Sequence, residues 1–181
     1  MAKVYVMFAD GVEEIEGLTA VDILRRGGQD VVTVSVTGRT MIKGSHGICF
    51  AADRLFEDGT LSDGDMLVLP GGGGGTKMLA EHEGLRNLIA EYAAQDRWIG
   101  AICAAPSVLG INGILRGRRA TCYPGFEDKL LGAEPTGESV TVDGKIITGK
   151  GMGVSAEFAL ELLGALDKAA AVSVAAAIQK P

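Results

Sequence analysis

Two apolar, β-rich runs flank a helical pattern near the start of the chain, and this order constrains the fold more than any other feature. The runs are KVYVMF (3–8) and DVVTVSV (30–36). Between them, EEIEGLTAVDILRRGG (13–28) carries apolar residues at helical spacing and ends in two glycines, which favour a helix stop. A strand, a helix and a strand in so short a span predict a βαβ unit, and a βαβ unit requires a parallel sheet.

The rest of the chain continues this alternation of strands and helices. Strand patterns occupy 65–70, 98–103, 118–123 and 140–149, the last as a hairpin with Asp143-Gly144 at its turn; 40–53 is a further hairpin around Gly44 or Gly47; helical patterns occupy 84–96, 105–115, 154–166 and the alanine-rich tail at 169–178. No linker or internal repeat interrupts them. We therefore predict a single α/β domain over 1–181, of the open, doubly wound kind, with its functional site at the carboxyl ends of the strands.

Charge and cysteine content exclude several classes of protein. The formal net charge is −6, and an acidic surface argues against nucleic acid as a partner. Three cysteines cannot form a complete disulfide framework, and their spacing matches no zinc site. The sequence has no signal-peptide pattern and no apolar segment long enough to span a membrane. We therefore expect a cytoplasmic protein in a reducing compartment, without a membrane partner.

The segment DGVEEIE (10–16) follows the first predicted strand and holds three acids in four residues. Acids at the start of a helix offset its dipole, and this explains Glu13 and Glu14. Glu16 instead shares a helical face with apolar residues if the helix begins near Val12. A carboxyl group in that position tends to stay protonated or to have a specific partner.

Five consecutive glycines (71–75) follow the strand predicted at 65–70. Glycines leave the backbone N–H groups unobstructed, so this stretch can bind an anion or an oxyanion. It equally fits a flexible turn. It is not a phosphate-binding P-loop, because the glycines are followed by Thr-Lys rather than by Lys and a hydroxyl residue.

The segment AICAAP (101–106) places Cys103 at a predicted turn between a strand and a helix. The positive end of a helix stabilises a thiolate and lowers the pKa of a thiol, and Pro106 fits the first turn of such a helix. The backbone N–H of Ala104 would point to the place where charge develops beside the sulfur. This resembles a nucleophile elbow without its usual serine signature. A buried, structural Cys103 is the alternative that spacing alone leaves open.

The other cysteines are expected to be structural, and the two histidines are expected to lie on the surface. Cys49 lies in an apolar strand and Cys122 in the segment ATCYP, so both are predicted to pack in the core. His82 is predicted on a helix surface and His46 in a surface hairpin.

Six motifs together resemble the ThiJ/PfpI superfamily, in particular its parkinsonism-associated deglycase branch, which also includes bacterial chaperone-like proteins. They are GVEEIE (11–16), VLPGG (68–72), AICAAP (101–106), TCYP (121–124), TGKGMG (148–153) and EFALELLGAL (157–166). They occur in the family's order across nearly the whole chain. The resemblance implies a flavodoxin-like three-layer sandwich with a mostly parallel central sheet, and a homodimer.

The resemblance also implies roles for individual residues. Cys103 matches the family's reactive cysteine, and Glu16 matches the carboxylic acid that hydrogen-bonds its sulfur. Gly72 and Ala104 match the positions whose N–H groups form an oxyanion hole. A protonated Glu16 donates to a thiolate and lowers the thiol pKa, whereas an ionised Glu16 raises it, so the two groups titrate as a pair.

One position departs from the family pattern. Many members have histidine before the proline of TCYP, where this chain has Tyr123. Histidine can shuttle protons near neutral pH, whereas tyrosine, with an ordinary pKa near 10, is mainly a hydrogen-bond donor. A Cys–His arrangement is therefore not supported at Tyr123. The resemblance leaves His46 as an auxiliary candidate, because a basic residue near it approaches the partner's site in related proteins.

Three functions follow from these residues. The first is a cofactor-free enzyme in which Cys103 attacks a small aldehyde or a glycated substrate, in a glyoxalase III-like or deglycase-like reaction that uses no metal. The second is an oxidative-stress sensor or chaperone in which Cys103 is oxidised to a sulfinate that Glu16 stabilises. The third, a PfpI-type peptidase, requires a histidine next to the elbow cysteine, where this chain has Ala104.

Overall fold

A computed structural model describes residues 1–180 and has helices on both faces of a central sheet. The helices are α1 (Glu14–Arg26), α2 (Gly73–Glu81), α3 (Glu83–Ala94), α4 (Pro106–Ile111), α5 (Ser155–Leu166) and α6 (Lys168–Ala177). The strands are β1 (Lys3–Phe8), β2 (Asp30–Ser35), β3 (Met41–Lys43), β4 (Cys49–Ala51), β5 (Arg54–Leu55), β6 (Met66–Leu69), β7 (Trp98–Ile102), β8 (Arg119–Ala120), β9 (Glu134–Pro135), β10 (Val140–Asp143) and β11 (Ile146–Gly149).

The central sheet has the strand order β10-β11-β7-β6-β1-β2-β5. Every neighbouring pair in it is parallel except the β10–β11 hairpin at one edge. Strands β3 and β4 form a separate antiparallel hairpin, and β8 pairs with β9. The predictions of a mostly parallel α/β sheet, of the first βαβ unit and of both hairpins are confirmed.

Strand β1 shows why the sheet has a core on each face. Successive side chains of a strand point to opposite faces, and both faces of β1 are apolar. Tyr5 and Met7 pack in one buried cluster, whereas Val4, Val6 and Phe8 pack in the other. The first cluster includes residues of α2, α3 and α4, and the second includes residues of α1, α5 and α6. The chain therefore forms three layers.

The sheet order also determines where a site can form. Strand β1 lies between β2 and β6, so the chain runs outward from β1 on one side and later continues from β6 on the other. In open parallel sheets, ligands bind at the carboxyl ends of the strands beside such a switch point. The loops that follow β1, β6 and β7 meet at this edge, and they contain the three segments singled out from the sequence.

Two predicted elements differ in the structure. The strand predicted at 118–123 is limited to β8, because the backbone beyond Ala120 makes other hydrogen bonds. The Thr121 N–H donates to Thr148 Oγ1, and the Tyr123 N–H donates to the Cys103 carbonyl. The five glycines are not all loop, since α2 begins at Gly73. The sequence does not predict a helix at these glycines, because glycine is a poor helix former in the interior of a helix.

The helix predicted at 105–115 is shorter than expected and ends at Ile111. Gly110 lies against the chain at 129–131, where an added Cβ would approach Leu130 Cα to 2.8 Å. The chain then turns at Gly113, whose φ of +75° favours glycine. The alanine-rich tail forms α6 as predicted. Within residues 1–180, no helix combines the length and the apolar character that crossing a membrane requires.

Glycine-to-alanine changes in α1 and in α5 are predicted to affect stability differently. A Cβ at Gly17 would overlap the ring of Phe8, with 2.9 Å to Cζ, and Phe8 is fully buried. Gly17→Ala is therefore expected to lower the free energy of unfolding by about 1–3 kcal/mol. At Gly164, in α5, the nearest atom would be Ala171 Cβ at 3.7 Å. Gly164→Ala is expected to be neutral or to stabilise by up to about 1 kcal/mol.

Urea denaturation followed by circular dichroism measures both changes. Equal effects of the two substitutions would contradict the close approach of α1 to Phe8.

Candidate functional site

Three strand ends place the site residues together. Glu16 lies in the first turn of α1 after β1, Gly71 and Gly72 follow β6, and Cys103 follows β7. The Glu16 carboxyl and the Cys103 side chain both lie against Gly71. The charge of Glu16 and the N–H groups of Gly72 and Ala104 act on the Cys103 thiol. The structure thus brings together all four residues that the sequence singled out for this edge of the sheet.

Cys103 has a backbone conformation that is rare for a residue with a side chain. Its φ is +64°, in the left-handed region. Two backbone hydrogen bonds hold it there: the Cys103 N–H donates to the Gly149 carbonyl, and the Tyr123 N–H donates to the Cys103 carbonyl, both at 2.8 Å. Pro106 is the first residue of α4, as predicted. Cys103 therefore lies on a sharp, strained turn between a strand and a helix, which is the geometry of a nucleophile elbow.

The two glycines after β6 are required by close packing. A Cβ at Gly71 would lie 2.5 Å from Glu16 Oε2 and 2.6 Å from Cys103 Cβ. Gly72 has a φ of +90°, and a Cβ there would lie 2.7 Å from the carbonyl carbon of Val12. Only glycine lets the backbone pass between Glu16 and Cys103 and present its N–H to the sulfur.

Glu16 is the buried acid of the site. Its side chain is 1% exposed, and its Oε2 accepts a 2.9 Å hydrogen bond from the Gly71 N–H. Its Oε1 has no hydrogen-bond partner among the described residues. Burial of a carboxyl group disfavours the charged form, and here burial raises the pKa of Glu16 to about 7, against the lowering effects of Cys103 and the Gly71 N–H.

The Cys103 thiol is held neutral by its surroundings. Burial is the main cause that raises its pKa to about 12, and the charge and hydrogen bonding of Glu16 add to it. The N–H groups of Gly72 and Ala104 act in the opposite direction. Desolvation and the charge of Glu16 thus outweigh the N–H groups at the start of the helix. The sequence predicts a raised thiol pKa beside an ionised Glu16 and a lowered one beside a protonated Glu16.

The two acids form a coupled pair. Burial raises the pKa of both groups, and ionisation of Glu16 raises that of the thiol further. At neutral pH, a thiolate arises when the remaining proton lies on Glu16 and the charge lies on sulfur, where the Gly72 and Ala104 N–H groups stabilise it. The arrangement can therefore generate a nucleophile without a histidine.

Tyr123 lies beside this pair, with its backbone bonded to Cys103. Its side chain is 51% exposed and packs edge-to-face on Phe126, with 6.5 Å between ring centroids. Across from it, a Cβ at Gly151 would lie 3.3 Å from Tyr123 Cδ2. Tyr123 thus forms part of the surface around Cys103.

His46 and Glu14 form a different cluster. His46 Nδ1 lies 3.0 Å from Glu14 Oε2, and the His46 N–H donates to Glu14 Oε1 at 2.8 Å. The structure therefore places His46 against the start of α1 rather than with Cys103 and Glu16. The hydrogen bond to Glu14 and the charges of Glu13 and Glu14 raise the pKa of His46.

Glu14 does more than offset the helix dipole, because it also binds the β3–β4 hairpin. It is 2% exposed and accepts hydrogen bonds from Ser45, His46 and Ile48 in the β3–β4 hairpin. Although burial alone would raise the pKa of Glu14, hydrogen bonds from its own backbone N–H and from His46 and Ile48 lower it to about 2. Glu13, Glu14 and His46 also offer ligand atoms within 4.8 Å of one another, the spacing of a metal site. Since the hairpin donors already occupy Glu14, the cluster docks the hairpin on α1.

Two further expectations were wrong. Cys49 is exposed, because it points away from the buried side of the β3–β4 hairpin, whereas Cys122 is buried as predicted. His82 is not on a helix surface but caps α3: its Nδ1 accepts from the Leu85 N–H, and its ring packs on Phe56.

The model of the DJ-1/PfpI family matches residues 2–165. Protein DJ-1 homolog B of Arabidopsis thaliana is 39% identical over 89% of this chain, and the chain spans 37% of that relative. A protein named glutathione-independent glyoxalase DJR-1.2 from Caenorhabditis elegans is 32% identical over 87% of this chain and 84% of its own length. A deglycase of Pyrococcus abyssi is 29% identical over 82% of this chain and 89% of its own length.

Solved structures agree with these relatives. A DJ-1 superfamily protein of Salmonella typhimurium superposes with a TM-score of 0.95 at 34% identity, covering 100% of both chains. Oxidized DJ-1 of Toxoplasma gondii superposes with a TM-score of 0.92 at 35% identity, covering 99% of this chain and 98% of its own. The expected fold class is thus confirmed by relatives that share more than a quarter of the sequence.

The buried Glu16 predicts a pH dependence of stability. In the unfolded chain this carboxyl loses its proton near 4.5, whereas the folded protein keeps the proton to about 7. Between these values the folded state binds more protons, so its stability falls as the pH rises. Relative to Glu16→Gln, the wild type is expected to lose about 3 kcal/mol of unfolding free energy across this window.

Urea denaturation of both proteins from pH 4 to 8 measures this difference, and the titration of His46 cancels in the comparison. Glu161→Gln, on the exposed side of α5, is the matched control and should run parallel to the wild type. Parallel curves for wild type and Glu16→Gln would contradict the raised pKa of Glu16.

Proposed function

The chain belongs to the DJ-1/PfpI family. On that premise we propose that it is an enzyme that acts on small reactive carbonyl compounds, with Cys103 as its nucleophile. The observation that carries the proposal is the strained turn of Cys103, whose side chain lies with the Glu16 carboxyl against Gly71. The Gly72 and Ala104 N–H groups favour the charged form of its sulfur. The names of the glyoxalase and deglycase relatives support the same class of substrate.

The first step is addition of the Cys103 thiolate to the aldehyde carbon. A carbon–sulfur bond forms, and the carbonyl electrons become an oxyanion that the N–H groups of Gly72 and Ala104 stabilise. Glu16, which received the thiol proton, then donates it to this oxygen and completes a hemithioacetal. Neither a metal nor an organic cofactor is needed.

A 2-oxoaldehyde can then rearrange on the sulfur. The proton on the former aldehyde carbon moves, through an enediol, to the neighbouring ketone carbon, with Glu16 as the base and acid. This oxidises the first carbon to a thioester and reduces the second to an alcohol, so no external oxidant takes part. Water cleaves the thioester, releases a 2-hydroxy acid and restores the thiol. In the deglycase-like version, the same cysteine attacks a glycated substrate and the products are a hydroxy acid and the repaired amine.

Tyr123 sets the expected rate. Because tyrosine does not shuttle protons near neutral pH as histidine does, all proton transfers fall to Glu16. We therefore infer a slower enzyme than one with histidine at this position. Tyr123 is an auxiliary residue that shapes the surroundings of the sulfur.

Oxidation sensing is the second candidate function, and the donor groups at the sulfur favour it. A cysteine sulfinate has negatively charged oxygens, and the Gly72 and Ala104 N–H groups together with a protonated Glu16 could stabilise it. The proposed enzyme and the proposed sensor use the same atoms. A chaperone role would follow from the sensor, whereas Ala104 next to Cys103 disfavours a peptidase.

A homodimer in the cytoplasm completes the proposal. Ile15 and Leu18 on α1 are exposed, as is Ile48 on the hairpin that Glu14 holds against α1. Exposed apolar side chains on adjoining elements are typical of an interface with another protein chain. All three cysteines are free, which suits a reducing compartment.

The enzyme is tested by the conversion of methylglyoxal to lactate. Wild type should form lactate, and Cys103→Ser should lower kcat/KM by more than about 100-fold, because the nucleophile is lost. Cys49→Ser, which changes an exposed cysteine, is the matched control and should keep full activity. Tyr123→His should raise kcat. Lactate formation that does not depend on Cys103 would rule out the proposed reaction.

The sensor is tested by mass spectrometry after mild peroxide treatment. Cys103 should form sulfinate before the more exposed Cys49 does, although exposure alone favours Cys49. Glu16→Ala should abolish this preference, since it removes a donor to the sulfinate oxygens. Preferential oxidation of Cys49 would contradict a sensor role for Cys103.

A further inference from the structure

An apolar depression of about 350 Å³ is lined by Tyr123, whose backbone N–H is hydrogen-bonded to the Cys103 carbonyl. One wall is formed by Tyr123 and Pro124, and the other by the segment 150–154 that follows β11. The Met152 side chain is 53% exposed at this surface, although methionine is an apolar residue. The only charged residue among those that line the depression is Lys150, whose Nζ donates to the Gly137 carbonyl at 3.1 Å.

Both walls are attached to the nucleophile through its backbone. The Tyr123 N–H donates to the Cys103 carbonyl, and the Cys103 N–H donates to the Gly149 carbonyl, immediately before Lys150. The two segments that leave these hydrogen bonds are the walls of the depression. Val154 and Cys103 also pack against the same buried cluster. The depression therefore begins at Tyr123, which is bonded to the Cys103 backbone, and at Lys150, which follows the Cys103 partner Gly149.

We propose that the depression binds an apolar substituent larger than methyl on a 2-oxoaldehyde, so that the protein prefers aryl over methyl substrates. This inference rests on the proposed function, and it assigns specificity to Tyr123 and Met152. The small substituent of methylglyoxal would leave the space empty. A phenyl ring would fill it between the Tyr123 ring and the Met152 thioether, both of which make favourable contacts with aromatic groups.

The replacement of histidine by Tyr123 fits this role. Tyrosine offers a larger apolar face than histidine, and Phe126 holds its ring in place from behind. Gly151 adds no side chain here, and a Cβ at this position would crowd the Tyr123 ring, with 3.3 Å to Cδ2. The position therefore contributes to substrate binding rather than to proton transfer.

The test compares two substrates by the hydroxy acid that each forms. Wild type should convert phenylglyoxal to mandelate with a kcat/KM about tenfold higher than for methylglyoxal to lactate, the range that small differences in apolar contact give. Met152→Ala should lower this ratio roughly fivefold. Met78→Ala, on α2 and outside the depression, is the matched control and should leave the ratio unchanged. An equal ratio in wild type and Met152→Ala would overturn the inference.

A second measurement does not depend on turnover. Mandelate should protect Cys103 from iodoacetamide at a lower concentration than lactate does, and Met152→Ala should remove the difference. Equal protection by mandelate and lactate in the wild type would overturn the aryl site. A chain that forms neither product while mandelate still protects would overturn the proposed function and leave the aryl site supported.

Discussion

The shared proton between two buried acids is the interaction on which the site depends. Glu16 and Cys103 both lie against Gly71, and burial raises the pKa of both groups. Neither would be reactive alone, since a buried thiol stays protonated and a buried carboxyl has nothing to activate. Together they hold one proton at neutral pH, and its transfer to Glu16 leaves the charge on sulfur beside two N–H donors. Nucleophile and proton donor therefore arise in one step.

The fold supplies this contact through three strands and two glycines. Parallel strands end at the same edge of the sheet, so the residues that follow β1, β6 and β7 lie close together. They are Glu16, the Gly71–Gly72 turn and Cys103. Gly71 has no side chain to separate the two acids, and Gly72 turns its N–H to the sulfur. The backbone hydrogen bonds of Cys103 hold its strained φ and also attach the walls of the apolar depression. In the proposed enzyme, substrate binding and activation thus depend on the same backbone hydrogen bonds.

Periodicity predicted most of the fold, because β1 and α1 bury regular faces that local sequence reveals. It also identified Glu16, an acid on an apolar helical face. What it could not predict depends on distant contacts. The start of α2 could not be predicted, because its glycines have a low helix propensity. Strand β8 is shorter than predicted, because the Tyr123 backbone bonds to Cys103 instead. Glu14 resembled an ordinary helix acid, since its partners lie 31 to 34 residues away in the β3–β4 hairpin. The thiol pKa depended on burial, which a turn motif does not report.

The pH dependence of Cys103 alkylation by iodoacetamide tests the shared proton most directly. The account predicts that the rate rises as the pH passes about 7, where the pair loses its first proton, and that Glu16→Gln moves this midpoint away from 7. A wild-type midpoint at the value of an ordinary thiol, about 8.5, with no change in Glu16→Gln, would contradict it.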